Sequence, residues 1–258
     1  MNRKVIALRA SSAMREPEVV KAPAPLVLGQ GTTELAKWLA LFLMVADHVN
    51  KFLFAGKLPA AFELGRLAMP LFVFVLAYNL ARPGALANGA FGRTFKRLGF
   101  VGVATTPVFV SLVGWWPLNI MFTLALSAAV IWLMEAGAKR GKLAAAALFV
   151  IGGAFVEFWW PAVALCVAAW WFCKQPSWGR AGALLIACAS LSAVNGLSNA
   201  IVNGVPVLVI HPNHWALASL PVMAALTRVD VRIPRVRYFF YAFYPAHLVL
   251  LWIATRHS

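Results

Sequence analysis

Asp47 and His48 stand side by side in an otherwise apolar run, and a second histidine, His247, stands in another run 199 positions later. An imidazole titrates near neutral pH and can take up or pass on a proton. A carboxylate beside it can fix a tautomer, meet a cation or receive an ammonium. Arg66 and Asn119 open two further apolar runs and bring hydrogen-bond donors. Neighbours on a helix point about 100° apart, so Asp47 does not orient His48 from within one helix. One or both must reach across to another segment, with Arg66 the nearest obvious counter-charge. Taken alone, Asn119 reads as an interhelical hydrogen bond. Glu157 falls at the end of an apolar run and reads as a solvated carboxylate.

Those residues need a scaffold, and the composition says which kind. The chain has 258 residues, 62% of them hydrophobic and 12% charged, with mean hydropathy +0.79. A soluble domain carries about 25% charged residues. Strands of an outer-membrane barrel would alternate apolar and polar positions. Neither pattern is present, so the expected fold is all-α, a polytopic helical bundle of about nine spans. The runs lie at about 35–54, 66–82, 98–115, 119–135, 143–158, 160–173, 181–200, 213–227 and 238–255. Breakers such as Arg82-Pro83-Gly84, Trp115-Trp116-Pro117 and Gln175-Pro176 separate them. Residues 1–30 are basic and carry Pro17, Pro23 and Pro25, which reads as a flexible cytoplasmic tail before a membrane domain over 31–258. Cys166, Cys173 and Cys188 lie in apolar runs without ligand spacing, so neither a disulfide framework nor a metal site is expected.

The net charge of +15 has a membrane explanation rather than a nucleic-acid one. With nine spans and the N-terminus inside, nineteen of the 23 Lys and Arg fall on the cytoplasmic side. Lys51, Lys57, Arg66 and Arg256 fall on the other. That asymmetry predicts N-in, C-out. At about 1.5 Å per residue, His48 sits roughly 20 Å from the inner edge and His247 roughly 14 Å. Two distant helices thus bring their imidazoles to similar depth, which predicts one polar chamber within the bilayer.

Four patches give the chain a resemblance to a known family. They are Trp38–His48 (WLALFLMVADH), Gly65–Phe72 (GRLAMPLF), Asn119–Leu124 (NIMFTL) and Tyr238–Leu248 (YFFYAFYPAHL). In this order and combination they resemble the TraX-type conjugal transfer proteins, including the related TrbP proteins. The likeness extends from about 35 to 250 and is poor over about 143–225. It implies a bacterial inner-membrane, multi-pass enzyme that acetylates the N-terminus of the pilin subunit of a conjugative pilus. Acetyl-coenzyme A would be the donor, with no metal, and the partners would be pilin and the lipid bilayer, not nucleic acid. Under that reading His48 is the candidate base and His247 the second. Asp47 would hold a histidine tautomer or the substrate ammonium. Arg66 or Asn119 would stabilise the oxyanion, with the Tyr241 and Tyr244 hydroxyls as further donors. Arg93, Lys96 and Arg97, or Arg235 and Arg237, would receive the coenzyme phosphates.

Other readings use the same residues. An acyltransferase acting on a lipid or envelope sugar would share the donor site and the histidines. A non-enzymatic assembly factor for the transfer apparatus would not need Asp47 or His48. A proton-relaying transporter and a bis-histidine haem protein are weaker rivals.

Overall fold

The computed structural model describes residues 24–257 apart from 138, 196, 203, 204, 211–213, 230 and 237. The basic tail predicted over 1–30 therefore falls almost wholly outside the described residues. Ten α-helices are described: α1 (Gln30–Leu53), α2 (Pro59–Gly65), α3 (Ala68–Ala81), α4 (Ala90–Leu112), α5 (Ile120–Glu135), α6 (Lys139–Gly153), α7 (Trp159–Lys174), α8 (Trp178–Asn195), α9 (Ser219–Leu226) and α10 (Phe239–His257).

The middle of the bundle is α3, whose sequence is apolar on every side and contains no charge. A helix with that pattern must be covered all round. It is packed by α1, α5, α7 and α9, and Leu71, Val73 and Ala77 are fully enclosed. The Tyr78 hydroxyl accepts from the Leu28 amide at 2.9 Å and donates to the Leu28 carbonyl at 3.1 Å, which fixes the chain entering α1. Helices α1, α4 and α10 flank one another on the other side of this core.

Through α8 each apolar run forms a helix, but α4 begins eight residues before its run, and α2 forms in what reads as a connection. Beyond α8 the structure departs from the all-α expectation. A two-stranded antiparallel hairpin, β1 (Leu197–Val202) and β2 (Val205–Ile210), follows α8. The run at 213–227 is a 3-10 turn over Trp215–Ala218 and the eight-residue α9. The Asn203-Gly204 turn signal and, after it, Pro206 and Pro221 break what hydropathy alone reads as apolar segments. Two helical stretches, Pro59–Ala81 and Ala90–Leu112, are long and apolar enough to cross a membrane; Ile120–Glu135, Trp178–Val194 and Trp215–Leu226 are apolar but shorter.

Candidate active site

One cavity of about 680 Å³ runs through the bundle between α1, α3, α4, α5 and α10. Its α1 wall includes Lys37, Leu41, Met44, His48 and Lys51, a stripe at steps of four, three, four and three, joined near its end by Asp47, Asn50 and Phe52. That spacing is one face of a helix, so the cavity follows α1 for about 21 Å.

His48 lines this cavity, and His247 stands behind it, bonded to His48 but outside the lining. His48 Nδ1 lies 2.8 Å from His247 Nε2. The ring centroids are 5.1 Å apart with an interplanar angle of 9°. With so short an N···N distance, those values place the two imidazoles edge to edge in nearly one plane, as an N–H···N bond requires. At that distance no metal atom fits between these two nitrogens. His247 Nδ1 faces the Phe243 carbonyl at 3.2 Å, one helical turn back. A carbonyl only accepts, so this nitrogen carries a proton, and in the neutral ring His247 Nε2 is the acceptor. His48 Nδ1 must then donate to it, and His48 Nε2 keeps its lone pair. The chain of bonds assigns both tautomers from a backbone oxygen.

Asp47 plays no part in that chain, which corrects the expectation that it holds a histidine tautomer. Its Oδ2 accepts from Arg66 Nη2 at 2.5 Å, and Arg66 Nε also donates to the Phe62 carbonyl at 3.2 Å. The pair is mostly enclosed, with side chains 15% and 14% exposed. Gly65 makes it possible. A Cβ there would stand 2.8 Å from Asp47 Cγ and 2.9 Å from Oδ1, and nearer still to its Cβ. We therefore expect Gly65→Ala to push α2 off α1 and break the ion pair. The expected cost is about 1–3 kcal/mol, read as a lower thermal midpoint of the purified protein.

At one end of the cavity Arg97 and Arg235 stand by Tyr241, and Lys37, paired with Glu34 at 2.6 Å, lies over the neighbouring Phe240 ring. Arg97 bonds the Tyr241 hydroxyl and its guanidinium stacks on the Tyr238 ring. Of the expected phosphate ligands, Arg97 and Arg235 line the cavity; Arg93 donates to the Asn88 carbonyl at an exposed site, and Lys96 is exposed away from the cavity. Arg237 lies outside the described residues. Asn119 is also removed from the oxyanion candidates. Its Oδ1 caps α5 through the Met121 amide at 3.1 Å, and its Nδ2 donates to the Gly102 carbonyl at 3.0 Å. It ties α4 to α5, as its reading in isolation anticipated.

The opposite end contains Lys51, Arg66, Tyr244 and a residue that sequence reasoning set aside, Glu157. Glu157 sits between α6 and α7, where the chain pairs with the α4–α5 connection. The Leu118 amide donates to the Phe155 carbonyl at 2.7 Å, and the Glu157 amide donates to the Leu118 carbonyl at 2.9 Å. Thr123 Oγ1 donates to the Glu157 carbonyl at 2.8 Å. The next two residues, Phe158 and Trp159, have φ of 61° and 48°. Neither is glycine, and each such residue costs of order 1–3 kcal/mol. This backbone turns the carboxylate into the cavity, where it meets the Ile120 amide and faces the Tyr244 hydroxyl. Among the described residues Glu157 forms no ion pair.

The family model described as "TraX protein" matches residues 32–255, so the chain belongs to the TraX family. It is similar to Protein TraX of Escherichia coli, at 31% identity over 162 residues, and to Protein TraX of Escherichia coli strain K12, at 30% over the same length. Each alignment covers 63% of this chain and 56% of the relative, so the match spans little more than half of those proteins. No solved structure matches the chain.

Proposed function

We propose that this member of the TraX family is a polytopic inner-membrane acetyltransferase that moves an acetyl group from acetyl-coenzyme A to the N-terminal amine of a conjugative pilin subunit. The observation that carries this reading is the His48–His247 bond at the wall of a cavity that is also lined by cations. It supplies a base with a defined lone pair, next to a place for a phosphate-bearing donor.

The membrane setting is supported by the outside of the bundle. Phe100 on α4 is 76% exposed, Ile186 on α8 71% and Leu250 on α10 66%. On α4, Phe100 is joined at helical spacing by exposed Val103 and Val110, and extended apolar faces of this kind mark contact with a membrane or a partner. Basic residues mark one end of the bundle, through Lys37, Arg97, Lys139, Lys174 and Arg235. We take that end as cytoplasmic, with nine membrane segments, N-in and C-out, of which Trp215–Leu226 is the short one.

In this account Lys37, Arg97 and Arg235 hold the coenzyme phosphates at the cytoplasmic end. The acyl arm lies along the α1 stripe, with its thioester at His48. The amine attacks the thioester carbonyl while His48 Nε2 takes its proton. Arg66 stabilises the oxyanion, kept in place by Asp47 and the Phe62 carbonyl. The leaving sulfur takes the proton back from His48. His247 holds the tautomer throughout.

Purified protein in nanodiscs, given acetyl-coenzyme A and a peptide bearing the pilin N-terminus, should add one acetyl group to the peptide amine by mass spectrometry. A peptide that stays unmodified while an envelope sugar is acetylated would favour the O-acyltransferase. Replacing Arg97 or Arg235 by Gln should raise KM for acetyl-coenzyme A by about ten-fold or more while leaving kcat nearly unchanged, because a charge-assisted hydrogen bond contributes about 1.5–3 kcal/mol.

A further inference from the structure

An ammonium acceptor poses a proton problem that a hydroxyl acceptor does not. R–NH3⁺ must lose one proton before it has a lone pair and a second as the amide forms. His48 can account for one of these, because the leaving thiolate takes it back. The other has to go elsewhere.

We infer that Glu157 is the second acceptor: its carboxylate binds the substrate ammonium at the outer end of the cavity and removes the first proton. The inference rests on the acetyl-transfer reading and adds to it the residue that selects an amine over a hydroxyl. The geometry supports it in three ways. Glu157 lines the same cavity as His48. It lacks an ion-pair partner among the described residues, so a cation can take that place. Its backbone is pinned at the amide, at the carbonyl and through two left-handed residues, so the carboxylate is presented on a rigid mount.

The step balances. The ammonium gives one proton to the Glu157 carboxylate. The freed lone pair forms the C–N bond while His48 Nε2 takes the next proton. The C–S bond breaks, its electron pair leaves with sulfur, and sulfur takes the proton from His48. Glu157 then releases its proton to water. The groups that face Glu157 are Asp47 and Lys51 from α1, Arg66 from the α2–α3 corner, the Tyr244 hydroxyl from α10 and the Ile120 amide from α5.

The test compares wild type and Glu157→Gln in nanodiscs on two acceptors, the amine peptide and its analogue with an N-terminal 2-hydroxy acid. On the amine at pH 7 we expect the variant's kcat/KM to fall about a hundred-fold. The loss should shrink as pH passes the acceptor's own pKa of about 8, where the amine is already free. The hydroxy analogue should react equally with both proteins; if it is not a substrate, the pH profile alone decides. Equal losses on both acceptors at every pH, or no loss on the amine, would overturn the inference. Glu157→Asp keeps a carboxylate and should retain the wild-type pH profile at a lower rate; a profile like that of Gln would also overturn it. A wild type that acetylates neither acceptor contradicts the acetyl-transfer reading itself, a different outcome from either of these.

Discussion

His48→Ala should lower kcat for acetyl transfer by about 10²- to 10⁴-fold, the usual contribution of a positioned base. His48 presents the only unbonded imidazole nitrogen of the pair to the cavity, so no neighbour can replace it. His247 lacks that freedom, because its Nδ1 is committed to the Phe243 carbonyl and its Nε2 to His48. His247→Ala should therefore cost less, about 10- to 100-fold, by the logic of a group that orients another. The intact mass of pilin from cells carrying each variant reads both effects. Equal and complete losses would mean that the two rings act as a unit; an acetylated pilin with His48→Ala would remove His48 from the chemistry.

Arg66→Ala should be the most destabilising single change at the site. It leaves the Asp47 carboxylate without its partner in a mostly enclosed position, and breaking such a pair costs about 3–5 kcal/mol. The remaining exposure of both side chains, 15% and 14%, places the expected value near the lower end. Removing both charges, as Asp47→Leu with Arg66→Leu, should recover most of that loss, because no charge is left unpaired. Thermal unfolding of the detergent-solubilised variants gives the comparison. The double variant should remain inactive although it is stable, since the cation beside the oxyanion is gone. Stability losses that simply add would show that the pair is not coupled.

The parts of this site that were legible in the sequence are those written in charge. Asp47, His48 and His247 stand out because lipid-facing runs exclude such groups, and the rise of about 1.5 Å per residue puts the two imidazoles at similar depth. The partner of Asp47 followed from the same electrostatic need. What stayed hidden depends on backbone. The Phe243 carbonyl fixes both tautomers, yet every residue has a carbonyl, so nothing in residue type marks this one. Glu157 looked solvated because its position depends on the pairing of two connections at Leu118 and Phe155–Glu157. Asn119 reads in isolation as the interhelical hydrogen bond it makes; its oxyanion role was implied only by the resemblance, and its amide is engaged by the α5 cap and by Gly102 and Thr106 on α4. In the fold, helices through α8 follow from apolar runs and their breakers. The hairpin after α8 was obscured because hydropathy does not distinguish an apolar strand from part of a span; the Asn203-Gly204 dipeptide between Val202 and Val205 was the available signal.

The central claim is that one cavity carries the donor from a cationic end to the paired imidazoles. Its most direct test is an experimental structure of the protein in nanodiscs with a non-hydrolysable thioether analogue of acetyl-coenzyme A. The account predicts the phosphates against Lys37, Arg97 and Arg235, with the acyl carbon beside His48 Nε2. A nucleotide bound elsewhere, or an acyl group pointing away from His48, would contradict it.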